Sequence, residues 1–189
     1  MPIFGDPPEG LDEDWTHGAL IGGMCGWWSE QELANSYFLA ADLLVAAATT
    51  GRERGQDIWG PTMYLYRHGT ELYLKLIVQP ENQNHNLGSL LEKFCAHIRS
   101  RYKQDVPAWI TRPISELHKF DPGSDLFRYR EPRQFAIAER LAKTGEYWVD
   151  LRAIKREMGL ILEAFQRVVL ADQTGTIPPA PIRRHSDDE

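Results

Sequence analysis

Cysteine is scarce in this chain, with only Cys25 and Cys95 among 189 residues. Two thiols cannot build a disulfide framework and neither has metal-ligand spacing, so both are expected to stay reduced in a cytoplasmic protein. Long apolar runs are also missing. The longest, Leu39 to Ala48, is interrupted by Asp42 and falls well short of the roughly 18 residues that span a bilayer. The start, Met1 to Asp6, turns acidic without the positive and then apolar pattern of a secretory signal. No membrane role is therefore expected. A basic excess is lacking too: 27 acidic against 21 basic side chains leave a net charge of -6 and a pI near 5.5. That balance opposes a wide nonspecific nucleic-acid surface and leaves room for a local basic groove. Absence of a Gly-rich phosphate loop, a zincin His pair and a nucleophile elbow argues against nucleotide hydrolysis, metal hydrolysis and serine-hydrolase chemistry. No cofactor and no metal are implied.

What is present describes one folded domain between two arms. The 42% hydrophobic and 25% charged content is that of an ordinary globular chain. Residues 1–16 hold three prolines and five acids with little apolar periodicity, and 172–189 hold three prolines between Ile177 and Ile182 before a charged end. Both are expected to be disordered, flanking a single domain over 17–171. Ser29 with Glu32 forms a capping box, with Trp28 and Leu33 as its hydrophobic staple. From there Leu33, Tyr37, Ala40, Ala41, Leu44 and Ala48 give a helix of about 20 residues with a narrow, Ala-rich face suited to close helix packing. A second helix takes Pro61 in its first turn and ends before Pro80, with Gly69 inside its apolar stripe as a sign of tight packing. Leu90–Tyr102 and Ala108–Phe120 are the third and fourth.

Asp121, Pro122, Gly123 and Ser124 compose a turn. Phe135 to Lys143 suits a helix, whereas Lys143 to Glu146 followed by Tyr147, Trp148 and Val149 suits a short hairpin. The last helix has Asp150 as N-cap and an apolar stripe through Leu151, Ile154, Met158, Ile161, Phe165 and Val168. The expected fold is all-α, an antiparallel bundle of four or five helices with an irregular or short β-hairpin insertion before the last.

The densest polar group lies on the second helix: Arg67, His68, Glu71 and Lys75 beside Tyr64 and Tyr73. Arg67, Glu71 and Lys75 recur every four residues on one face. They compose either an exposed ion-pair ladder or a polar site between helices, with Arg67 oriented by Glu71 and His68 able to exchange a proton near neutral pH. Spacing alone does not separate the two.

The run Tyr66, Arg67, His68, then Glu71 to Lys75, followed by His85, Asn86, Leu87, Leu90 and Leu91, and later Asp121 to Ser124 with Phe127, Arg128 and Tyr129, resembles small bacterial HEPN-like proteins (higher eukaryotes and prokaryotes nucleotide-binding domain). The resemblance covers about residues 30–170. It implies a dimerising antiparallel helical bundle in a bacterial defence or toxin–antitoxin-like system. Many such proteins are metal-independent endoribonucleases that use Arg, four to six residues, then His across a dimer interface. Arg112 to His118 is the one match to that spacing, and about one to two such matches arise by chance among six histidines. Pro113, directly after the Arg, also departs from the polar residue usual there.

The resemblance therefore implies an RNA-associated or assembly component without robust catalysis, with a metal-independent endoribonuclease using His118 or His68 with Arg112, Arg67 or Arg128 as the enzyme alternative. A purely structural protein-interaction module is the third. Glu71, Lys75, His85, Arg128 and Tyr129 complete the candidate ligand-binding set. His85, after three polar residues, also suits a helix cap or loop anchor. Arg128 and Tyr129 suit phosphate binding and base stacking, or anchoring of their loop. The segment Gly18 to Trp28, with Ile21, Met24, Trp27 and Trp28, suits either an interface or folding back over the Ala-rich first helix; the first reading leads us to expect a homodimer or a helical protein partner.

Overall fold

The computed structural model describes residues 27–81, 85–124 and 148–176, together with Ala19. Among them the chain is a bundle of five helices: α1 (Glu30–Thr49), α2 (Gly55–Val78), α3 (Leu87–Tyr102), α4 (Ala108–Phe120) and α5 (Leu151–Thr174). No strand occurs among the described residues; Trp148 and Val149 of the expected hairpin are not strand, and the rest of it lies outside them. The acidic arm over 1–16 lies outside the described residues; of the tail expected over 172–189, Asp172 to Thr174 instead complete α5, and the residues beyond Thr176 lie outside the described ones.

Helix α1 begins where the capping box sets it. The Ser29 amide donates to Glu32 Oε2 at 2.8 Å and the Glu32 amide donates back to Ser29 Oγ at 3.2 Å, so two otherwise orphaned amides are satisfied. Its buried face is Ala34, Phe38, Ala41 and Val45, which shares only Ala41 with the expected stripe. The expected face was rotated by about one residue, roughly 100° of helix. The cause is legible in the exposed Leu39 and Leu43: apolar side chains surround α1, so periodicity could not choose among its faces. Packing seats Phe38 on the buried face, where α2 presents Gly69 opposite it.

Helix α2 starts at Gly55 rather than near Pro61, which consequently lies inside it. The extra turns are held by Arg54, whose guanidinium donates to both oxygens of Asp57 at 2.7 and 3.1 Å while the Asp57 amide donates to the Arg54 carbonyl. Pro61 removes one backbone bond, a loss the longer helix tolerates. Helix α3 begins three residues earlier than expected because Asn86 is its N-cap, accepting from the Ser89 amide at 2.9 Å. Helix α4 has the expected bounds. Asp150 caps α5 as expected, accepting from the Arg152 and Ala153 amides at 3.0 Å each, and Gly175 in the left-handed region closes the helix.

Helix α1 runs antiparallel to α2 and to α5, whereas α3 runs the same way as α5, Phe94 meeting Phe165 and Arg101 meeting Asp172. Asp42 and Asn35 of α1 meet Tyr66 and Tyr73 of α2 respectively, and the same two α1 residues meet Lys155 and Gln166 of α5. Asn35 Oδ1 accepts from the Tyr73 hydroxyl at 2.6 Å and from Gln166 Nε2 at 3.1 Å, so one amide oxygen fixes three helices. Beneath this node Phe165 stacks on Tyr73 and meets Phe94 edge-on, with centroids 5.4 and 5.6 Å apart. At the far end Asp172 of α5 receives His97, Arg101 and Tyr102 of α3. Trp27 and Trp28 take no part in this core, at 83% and 66% exposed.

The α1–α2 contact gives the first prediction. A Cβ at Gly69 would stand 2.8 Å from Phe38 Cδ2 and 3.2 Å from Tyr37 Cβ. Alanine gains up to about 1 kcal/mol of helix propensity, but overpacking costs about 1–3 kcal/mol. Gly69→Ala is expected to lower stability by about 1 kcal/mol net in urea unfolding; a midpoint at or above that of the wild type would show that Phe38 yields freely.

Candidate functional site

Four candidate residues converge where α2 passes the loop before α3 and the turn after α4. Arg67 lies at the centre, 1% exposed. Its Nε donates to the Asp121 carbonyl at 3.4 Å, one terminal nitrogen donates to Glu71 Oε2 at 3.2 Å and Ser124 Oγ at 2.9 Å, and the other donates to the His85 carbonyl at 3.1 Å. The Asp121 carboxylate stands 3.7 Å from Nε. All three guanidinium nitrogens are thus occupied by the protein itself. Such directional pairing is what allows a permanently charged group to be buried.

Glu71, also 1% exposed, divides its carboxylate. Oε2 faces inward to Arg67, while Oε1 accepts from Lys75 Nζ at 2.8 Å and meets His85 Nδ1 at 2.7 Å. Burial pushes the Glu71 pKa up, but hydrogen bonds and charge from Lys75 and His85 outweigh it and leave it below the ordinary 4.5. The two surface-facing members differ in access, since the Lys75 side chain is 16% exposed and that of His85 66%. Neither of the two sequence readings matches fully: the pairs form a ladder by spacing, but its first two rungs are buried.

His68 points elsewhere. Its ring lies parallel to that of Tyr64, centroids 5.7 Å apart, and edge-on to Tyr37 at 4.5 Å. Burial lowers its pKa below the ordinary 6.5; Glu71 pulls upward, and the charges of Lys75, His85 and Arg67 add to the lowering.

Arg112 and His118 do not meet. Six residues on one helix place them about 120° apart around its axis. Arg112 projects outward and pairs with Glu116 at 2.9 Å. The His118 ring lies against the first turn of α3, where a Cβ on Gly88 would come within 2.7 Å of it, and its Nδ1 is buried without a hydrogen-bond partner among the described residues. Arg112 instead borders a groove of about 740 Å³ between α4 and the first half of α5, floored by Met63, Trp109, Ile154 and Met158. Arg128 and Tyr129 lie outside the described residues. Among the described residues no three His, Cys, Asp or Glu side chains could hold a metal ion.

Sequence reasoning missed Asp121 and Ser124 as partners of Arg67, although it placed them in a turn. Positive φ falls not on Gly123 but on Ser124, at 62°. That conformation is unfavourable for a residue with a Cβ, and here the Ser124 hydroxyl is held by Arg67. A Pro-Gly turn flanked by Asp and Ser directly after a helix was the available signal.

Two predictions follow from this geometry. Arg67→Met leaves the buried Glu71 and Asp121 carboxylates without their common cation and is expected to cost about 3–5 kcal/mol in urea unfolding; a loss below about 1 kcal/mol would place the clamp at no more than surface-pair strength. His68 and Glu71 both have lowered folded pKa values, so the unfolded chain binds their protons more readily. Each contribution is full above the unfolded pKa and is lost as pH falls through the folded one. Stability is expected to decline first below about 6.5 from His68 and again below about 4.5 from Glu71. His68→Phe should remove only the first stage; an unchanged first stage in that variant assigns it to another group.

No protein-family model, no curated protein and no solved structure matches the chain, so the Arg67 network and the surfaces around it carry the functional reading.

Proposed function

We propose that the chain is a HEPN-like helical component of a bacterial defence or toxin–antitoxin-like system, with an RNA-associated or assembly role and without robust catalysis. The observation that carries the non-catalytic part of this reading is the burial and engagement of Arg67. An arginine that serves a scissile phosphate must be reachable and offer free N–H groups, whereas Arg67 is buried and four of its five N–H groups are spent on Asp121, Glu71, Ser124 and the His85 carbonyl. The His118 ring, held against Gly88 with Nδ1 buried, supports the same conclusion.

Within this cluster, what remains open to a ligand is modest: Lys75, whose charge Glu71 offsets, and the exposed His85 ring. Such a surface suits weak or selective contact with a phosphate-bearing partner rather than tight nonspecific binding. Support for assembly comes from exposed apolar side chains, Trp27 and Trp28 before α1 and Leu39 and Leu43 one turn apart on its outer face. Aromatic and aliphatic side chains of this kind suit an interface with a second copy or another helical chain. No described helix is long and apolar enough to cross a membrane.

One purified sample tests both parts. Incubated with structured and unstructured RNA in EDTA, the protein is expected to retain RNA without cutting it, and light scattering is expected to give about twice the 21.7 kDa chain mass. Cleavage abolished by His68→Ala or His118→Ala would replace this reading with the endoribonuclease. A mass fixed at that of one chain at every concentration, with no RNA retained and no protein partner copurifying from its native host, would remove it altogether. A stable protein partner without RNA selects the purely structural module.

A further inference from the structure

Four histidines are described, and they differ in what their ring nitrogens can do. His68 is half-buried between Tyr37 and Tyr64. His118 has one nitrogen buried and its opposite edge pressed on Gly88. His97 meets Asp172 at 3.0 Å, but that carboxylate also takes Arg101 and Tyr102, and the group ties α3 to α5. His85 alone combines a largely exposed ring with a buried carboxylate against one nitrogen.

We propose that His85 is the ligand-facing proton acceptor of the α2–α3 site, that Glu71 is its positioning residue, and that the site takes a ligand presenting a hydroxyl beside an anionic group.

The assignment follows from donor and acceptor chemistry. Lys75 at 2.8 Å and Arg67 at 3.2 Å keep Glu71 ionised, and an ionised carboxylate only accepts. Its contact with His85 at 2.7 Å therefore requires the proton on Nδ1. A neutral imidazole carries one ring proton, so Nε2 holds a free lone pair. Because Nδ1 faces the buried carboxylate and the ring is mostly exposed, Nε2 is the nitrogen turned to solvent.

The residue is also fixed from behind, since its own carbonyl accepts from Arg67 at 3.1 Å. A ring held at backbone and side chain alike is preorganised to receive a ligand donor. Lys75 shares Glu71 Oε1 with His85 and uses one of three N–H donors there. The remainder are available to an anionic group next to the donor hydroxyl. Among the described residues, the charged groups facing His85 are thus Glu71, Lys75 and Arg67, with His68 within electrostatic reach.

The ligand class rests on the RNA-associated reading; the tautomer does not. Two measurements on the full chain separate them. The first is the ring tautomer of His85 by ¹H–¹⁵N NMR near pH 8, above the ordinary imidazole pKa of about 6.5, with His85→Gln assigning the signal. The Nδ1–H form is expected, and the Nε2–H form would overturn the proposal in the wild-type protein, whether or not Glu71→Gln folds. The second is titration with adenosine 3′-monophosphate against 2′-deoxyadenosine 3′-monophosphate. The ribo form is expected to bind about 3- to 10-fold tighter, the value of one hydrogen bond. That preference should vanish in His85→Ala, while Lys75→Ala weakens both nucleotides alike. Equal binding of the two by the wild type would overturn the His85 assignment alone. Failure of either to bind would remove the RNA reading and the ligand class together.

Discussion

The buried guanidinium of Arg67 sets the conditions that the neighbouring structure meets. An arginine cannot be neutralised by losing its proton, so its removal from water is tolerable only if the protein supplies acceptors in the guanidinium plane. Those acceptors come from Glu71 on the same helix, the carbonyl of His85 before α3, and the carbonyl of Asp121 and hydroxyl of Ser124 after α4. Apolar packing would allow these segments to slide, because it is non-directional. Hydrogen-bond geometry does not. The start of α3, the end of α4 and the left-handed backbone of Ser124 are fixed together by one side chain.

The same fixation partitions the polar cluster by depth. Arg67 and the inward oxygen of Glu71 form a frame, while the outward oxygen of Glu71 governs the surface through Lys75 and His85. A single carboxylate therefore joins the interior, where charge must be compensated, to an edge where a partner can arrive. The groove between α4 and α5 is lined by none of these residues.

Much of the fold was legible because local signals agreed. Ser29 with Glu32 and Asp150 fixed two helix starts, and the stripe of α5 through Met158, Ile161, Phe165 and Val168 named its buried face. Gly69 was correctly tied to close packing, but the residue it receives, Phe38, was not on the face assigned to α1. That error is intrinsic to a helix apolar on several sides, where tertiary contact decides rotation. The site was legible as composition, not as geometry: four-residue spacing grouped Arg67, Glu71 and Lys75 without telling how deep they lie. Depth depended on partners 18 to 57 residues away in sequence, and periodicity contains no term for such distance.

Asn35 accepts from Tyr73 and from Gln166, 131 residues further along the chain than itself. Helices α1 and α2 can pair early through Phe38 and Gly69, yet their shared polar node stays incomplete until α5 docks. A contact across that separation is long-range for an all-helical fold, and closing such a loop costs chain entropy before its contacts repay it. Until then Phe94 and Tyr73 lack the aromatic ring of Phe165 that covers them. Before α5 docks, that aromatic face is open to water and to other chains.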